Sequence, residues 1–238
     1  MEVSFSLPQA ALASAILAAT AGTYVSLTPP HPNRTDGTTK DSLSALGVTD
    51  KRSTILALSP MVILGLHQSS LAYCYPIVPT SLLGFGLENG INSDLIKWTP
   101  STAVPLAAIL CIGVPLRLIP YGTLGKNFTF RLAEPDRLTT TGIYRYVQHP
   151  SYTGLLALSL SSLALFSRPD GVLACWVPPR TYEYVPWCVS CLLPAGVISL
   201  LAAIRTRVRE EEQMLRGKFG REWEEWHART ARFIPWII

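Results

Sequence analysis

Charge is scarce in this sequence. Of its 238 residues only 15% are Asp, Glu, Lys or Arg, while 48% are hydrophobic, and the mean hydropathy is +0.27. Typical soluble domains carry about 25% charged residues, so the chain lacks the charge to cover a water-facing surface, and a membrane protein is the reading that follows. A disulfide framework is also missing. The five cysteines (Cys74, Cys111, Cys175, Cys188 and Cys191) are odd in number and lie in or beside apolar segments, unlike a secreted scaffold. Cys188-Val-Ser-Cys191 has CxxC spacing but no second pair and no nearby histidine, so no metal site is expected and the thiols read as buried and free. No repeat and no low-complexity tract occurs. The one glycine-rich run, GFGLENG at 84–90, follows an apolar span and opens no βαβ unit, so it reads as a loop.

What is present is a series of apolar segments. A crossing helix needs about 20 apolar residues. The Met-Glu start lacks the basic region of a signal peptide, so 5–28 is expected to be a first transmembrane helix. Residues 29–53 form a polar loop, 54–79 a second span and 101–119 a third, with Pro60, Pro105 and Pro115 as kinks. His67 in the second span reads as a hydrogen-bonded structural histidine. A polar segment over 120–150 precedes a short fourth span at 152–167, a turn at Arg168–Gly171 and a fifth span near 187–204. The interruption PPRTYEYVP falls at a membrane interface.

Basic residues cluster between these segments: four in 34–52 (Arg34, Lys40, Lys51, Arg52), five in 117–145 (Arg117, Lys126, Arg131, Arg137, Arg145) and eight from Arg205 to Arg232. That leaves only Lys97, Arg168 and Arg180 elsewhere. Five spans put all three blocks on one side, which the positive-inside rule makes cytosolic. A nucleic-acid partner is not expected, because such binders show a basic face without apolar spans between its parts. Beyond Arg205, Val208, Leu215, Phe219, Trp223 and Trp226 recur at helical spacing. Gly217 and Gly220 weaken that helix, so a break is expected near Gly220, with a second helix along the membrane surface and its tryptophans at the interface.

Two polar constellations stand against this apolar background. One is GIYRYVQHPSYTG at 142–154; the other is Arg207 with Glu211 and Glu212. Arg207 and Glu211 are four apart and share a helix face. A surface ion pair there would be weak, but charge this close to a bilayer is costly unless it is used.

In their order and spacing these stretches resemble the isoprenylcysteine carboxyl methyltransferase family. The resemblance covers roughly 117–235 and rests on Leu124-Gly125 with Phe128, on Leu138 to Gly154, and on Arg207, Glu211-Glu212, Leu215, Phe219-Gly220, Trp223, Trp226 and Pro235. The chain departs from the pattern at Gln148, where a basic residue is usual, at Trp223 and Trp226, where tyrosines are common, and in a short linker between Phe128 and Arg137. The resemblance implies S-adenosylmethionine as methyl donor and a carboxylate acceptor. Carried over position by position, it implies that Tyr144, His149, Pro150, Ser151 and Tyr152 line the cofactor pocket, with the Asp136, Arg137, Leu138 and Thr139 backbone beside them. It implies further that Glu211 binds the cofactor and that Arg207 holds the acceptor carboxylate.

The expected fold is therefore all-α: a polytopic membrane helical bundle of about five transmembrane helices with a cytosolic C-terminal cofactor-binding helical module. Residues 1–119 would form the first three spans and 120–238 the catalytic module. The expected partners are the bilayer and the C-terminus of a prenylated protein or a small prenylated acid, at the endoplasmic reticulum. Three alternatives remain open at this stage. A phospholipid N-methyltransferase has similar modules, but its amine acceptor fits poorly with Arg207. A sterol reductase shares an R-F-I-P-like tail (Arg232–Pro235) but would take a nicotinamide. A silent membrane scaffold or lipid-binding protein would leave Arg207, Glu211, His149 and Tyr152 without use.

Overall fold

The computed structural model describes residues 6–29 and 51–234. Most of the first polar loop, with Arg34 and Lys40, and the closing Pro235 lie outside these residues. The described fold is all-helical, with no β-strand among the described residues. In chain order it comprises α1 (Leu7–Leu27), α2 (Lys51–Cys74), α3 (Thr80–Leu83), α4 (Pro100–Ala107), α5 (Val114–Leu124), α6 (Pro150–Phe166), α7 (Pro179–Tyr182), α8 (Val185–Phe219) and α9 (Arg221–His227).

Four stretches are long and apolar enough to cross a membrane: Leu7–Leu27, Lys51–Cys74, Ser93–Leu124 and Val185–Phe219. The segment expected as a fourth span is a shorter apolar helix, Pro150–Phe166. The stretch from α4 to α5 stays helical through prolines because a wide π-helical turn, Ala108–Gly113, separates the two. Pro115 has no N–H to bond a carbonyl one turn back, and the wider turn accommodates the missing bond. Helix α8 passes Pro194 and continues unbroken to Phe219, about 50 Å at 1.5 Å per residue. Its most apolar stretch is only 6% buried, with Trp187, Leu192 and Ile198 turned outward. That is the surface a lipid-facing helix presents. Not all the thiols are buried: Cys111, Cys188 and Cys191 are free but exposed, because they sit on outward faces of these helices.

The chain divides into two compact units, one of Met1–Tyr24, Leu58–Ile112 and Ala157–Val197, the other of Val25–Ala57, Gly113–Leu156 and Ile198–Ile238. The core of the first gathers Leu71, Leu83, Ile96, Val172 and Cys175. Its buried polar groups are matched to backbone: Gln68 Nε2 donates to the Leu95 carbonyl (2.9 Å) and Ser69 to the Ala13 carbonyl (3.0 Å). His67 is held twice, with Nε2 2.7 Å from the Leu82 carbonyl and Nδ1 2.7 Å from Trp176 Nε1. It is a structural histidine, as the sequence reading had it.

The second unit contains α5, α9, the start of α6 and the end of α8. Its core joins Tyr144, Leu215, Trp223 and Trp226. The two tryptophans, expected at the membrane interface, are instead each 6% exposed. The reason is the break after α8. Gly220 takes φ 49°, a left-handed conformation that costs a side-chain-bearing residue about 1–2 kcal/mol. The chain turns there, and α9 folds its apolar face against Tyr144 and Leu215 rather than outward. A second glycine sets a close approach. A Cβ at Gly154 would lie 2.9 Å from the Arg117 nitrogen and 3.0 Å from the Gly113 carbonyl oxygen. The first turns of α6 therefore pack directly on the α5 backbone.

Candidate active site

The corner at 146–150 is built by backbone pairing with the C-terminal segment. Gln148 N donates to the Ala231 carbonyl (2.8 Å), His149 N to the Arg232 carbonyl (2.9 Å), and Ala231 N to the Tyr146 carbonyl (3.2 Å). Val147 and Ala231 form an isolated parallel bridge. The Gln148 side chain explains its departure from a basic residue. It is 4% exposed, its Nε2 donates to the Thr230 and His227 carbonyls (2.6 and 3.2 Å), and its Oε1 lies 2.8 Å from His227 Nδ1. A neutral amide that both donates and accepts satisfies these partners, whereas a guanidinium could only donate.

This corner and α6 aim side chains at α8. The Tyr152 hydroxyl donates to Glu211 Oε2 at 3.1 Å. His149, 3% exposed, has Nδ1 3.8 Å from Glu211 Oε2 and Nε2 3.4 Å from Glu212 Oε1. Arg232 grips Glu212 with Nε 3.1 Å from Oε1 and Nη2 3.1 Å from Oε2. Glu212 is thereby occupied by neighbours, whereas the Glu211 side chain remains 32% exposed. Tyr144 is buried at 7% exposure, and its carbonyl accepts from Trp226 Nε1 at 2.9 Å. Burial, reinforced by the Glu211 charge, pushes its phenol above the ordinary tyrosine range. It stays neutral at physiological pH.

Arg207 is 5% exposed, too buried to be a solvated surface ion pair. Its Nη2 donates to the Phe130 carbonyl at 2.9 Å, and its guanidinium lies beside the Tyr152 hydroxyl. A second buried cation, not singled out from the sequence, lies close by. Arg117 is 6% exposed. Its Nε donates to the Ser26 carbonyl (3.0 Å) and its Nη1 to Ser151 Oγ. Its guanidinium stands 4.8 Å from the Phe130 ring centroid and 5.7 Å from those of Tyr121 and Phe128. Phe130 thus takes one arginine on its carbonyl and the other on its ring. No ion pair holds Arg117 among the described residues. Two buried guanidiniums thus meet at Phe130, and each has the planar fork that matches a carboxylate.

The structure therefore brings together Tyr144, His149, Pro150, Ser151, Tyr152, Arg207 and Glu211. The remaining expected residues are arranged differently. Asp136 and Arg137 have exposed side chains, Thr139 is half-buried, and Leu138 packs against the Tyr144 cluster. The Asp136 N–H points to Asn127 Oδ1 at 3.4 Å. Arg117 has a signal in the sequence, a lone charge within the proline-punctuated segment 105–120, but there it is one of a basic block and nothing marks it as buried. Phe130 has none, and the pairing of Glu212 with Arg232 is not visible although both residues stand out in the sequence, because these roles depend on contacts between distant segments.

The sequence model of the isoprenylcysteine carboxyl methyltransferase family matches residues 106–217, which contain Arg117, the His149 corner and the Arg207–Glu211 face. Over these residues the chain is similar to the isoprenylcysteine carboxyl methyltransferase family. Among similar proteins, protein-S-isoprenylcysteine O-methyltransferase B of Arabidopsis thaliana is 26% identical over 133 residues, covering 54% of this chain and 57% of the relative. Protein-S-isoprenylcysteine O-methyltransferase of Homo sapiens is 27% identical over 164 residues, covering 66% of this chain and 49% of the relative. That of Dictyostelium discoideum is 25% identical over 135 residues, covering 55% and 48%. The chain therefore spans only about half the length of these relatives.

Proposed function

We propose that this protein is a membrane methyltransferase that esterifies the carboxylate of a C-terminal prenylcysteine, with S-adenosylmethionine as donor. The observation that carries this reading is the pair of buried guanidiniums, Arg117 and Arg207, beside an accessible carboxylate, Glu211, that is ringed by Tyr152, His149 and Tyr144. Opposite charges are set side by side: positive where an anionic acceptor would sit, negative and aromatic where a cationic donor would sit.

The residues fit such a donor. Glu211 is half open and has oxygen lone pairs to accept from amino or ribose groups. Tyr144 and Tyr152 offer aromatic faces to a sulfonium. When bound, S-adenosylmethionine would supply an activated methyl group. The chain's own residues do the rest. Arg207 orients the acceptor with a guanidinium already fixed on Phe130. The carboxylate is ionised at neutral pH, so no side chain need remove a proton. Burial excludes water and strengthens each charge interaction. Because Arg207 lies within one turn of the apolar part of α8, a lipid-tailed acceptor reaches it with its tail still in hydrocarbon. The basic blocks support a cytosolic active site, and prenylated acceptors support residence in the endoplasmic reticulum.

The test is methyl transfer from labelled S-adenosylmethionine to N-acetyl-S-farnesylcysteine in membranes containing the chain. Base-labile methyl ester is expected, and Arg207→Ala and Glu211→Ala should each lower it sharply. Donor binding without ester would reject this acceptor and turn the search to small prenylated acids. A folded protein with neither ester nor donor binding would overturn the proposal.

A further inference from the structure

The outer face of α8 carries basic residues that the methyl-transfer reading does not use. Arg205, Arg209 and Arg216 are separated by four and seven residues and so share one face of the helix. Arg207 and Glu211 fall on the other face, since each residue advances about 100°. Against the basic face, α9 and the C-terminal segment close a cleft of about 620 Å³ lined by Arg209, Gln213, Arg216, Trp223, His227 and Arg232. Two carboxylates also line it, Glu212 and Glu224. Both are already matched: Glu212 by Arg232, and Glu224 by Arg216, whose Nε and Nη2 lie 3.1 and 2.9 Å from its Oε1. Arg209 is exposed and makes no ion pair among the described residues. Trp223 is 6% exposed, and its indole N–H, fully enclosed, has no hydrogen-bond partner. Buried donors are seldom left unmet without a reason.

We propose that this cleft binds the phosphate of an acidic phospholipid headgroup. Arg209 would supply the uncompensated charge, and the Gln213 amide and Trp223 N–H would supply neutral donors. Position favours a lipid as the source of the phosphate. The apolar run of α8 ends near Ile204, so Arg205 and Arg209 come in the first two turns after it, at headgroup depth. Basic residues just outside a span attract anionic lipids.

The inference does not depend on the methyl-transfer reading. Its test uses the full chain purified in detergent. Native mass spectrometry would count bound phosphatidylserine against phosphatidylcholine, and thermal melts would follow protection by inorganic phosphate. The intact protein is expected to retain phosphatidylserine preferentially. Arg209→Ala should weaken that preference about fivefold, a typical effect of one basic residue near an anionic surface. Trp223→Phe keeps the ring packing, removes the indole donor, and should weaken retention severalfold. Arg221→Ala, an exposed arginine outside the cleft that pairs with Glu225, should leave it unchanged. Inorganic phosphate that competes with phosphatidylserine would support the site. Three results would overturn it: no preference for the acidic lipid, an equal loss in Arg221→Ala, or protection by free phosphate without lipid retention.

Discussion

Arg207 is held by the Phe130 carbonyl on one side and lies beside Tyr152 on the other. Its replacement therefore does two things: it removes a charged donor from the proposed acceptor position and frees the Phe130 loop. Arg207→Ala should lower kcat/KM by roughly ten- to a hundredfold, the range for losing a hydrogen bond to a charged group of about 1.5–3 kcal/mol. Arg207→Lys keeps the charge but loses the planar fork, so initial-rate kinetics should place it well below the parent despite its charge. Tyr152→Phe should act on the other substrate. It removes the 3.1 Å donation to Glu211 and leaves that carboxylate free to reorient, so KM for the donor should rise severalfold while KM for the acceptor changes little. Equal changes in both would mean that Tyr152 does not set Glu211. These residue types were legible in the sequence because motif spacing kept them in order. The pairing of Glu212 was not, because nothing in the spacing tells which of two adjacent carboxylates Arg232 will neutralise; that choice is made by the C-terminal segment returning to His149.

Among the elements, the approach of α6 to α5 is the tightest. Gly154→Ala would drive a Cβ into backbone at 2.9–3.0 Å, and backbone cannot rotate away as a side chain can. A loss of about 1–3 kcal/mol should appear as a lower melting temperature of the purified protein, with activity falling because Ser151 and Arg117 separate. The sequence showed a glycine closing the motif, but not that α5 would lie beneath it. Helix α9 makes a different prediction. His227 stacks on Trp223 (4.4 Å between ring centroids) and meets Gln148. Burial depresses its pKa below the ordinary value of 6.5; the Arg232 charge also lowers it, while the Glu212 charge acts the other way. The folded state then binds fewer protons than the unfolded state as pH falls through 6.5. The stabilisation is full above that pH and is lost as the pH drops toward and below the depressed folded pKa. Melts from pH 7.5 down to pH 5 should show declining stability, and His227→Gln should flatten the decline. An unchanged slope in the variant would assign the pH dependence to other groups. The break at Gly220 was visible as a weak point in the helical pattern. The inward turn of Trp223 and Trp226 was not, because an amphipathic stripe does not state whether lipid or protein will cover it.

For the molecule as a whole, the apolar segments and the charge blocks were readable from composition, because hydrocarbon tolerates few charges and each block marks an end of a span. Span count was less legible: the 17-residue helix Pro150–Phe166 is near the lower limit of crossing length. Helix α8 offers a direct way to fix the orientation. From Val185 to Ile204 it rises about 30 Å, one hydrocarbon thickness. Arg180 precedes that stretch and Arg221 follows it, and both are exposed. If the basic C-terminal block is cytosolic, the two positions lie on opposite sides of the bilayer. In a cysteine-free background and sealed vesicles with the cytosolic face outward, Arg221→Cys should react with a membrane-impermeant maleimide. Arg180→Cys should react only after permeabilisation. The reverse pattern would turn Arg207 and Glu211 to the lumenal side and overturn the cytosolic assignment. Labelling of both without permeabilisation would mean that α8 does not cross, and a site fed from the bilayer would then lose its physical basis.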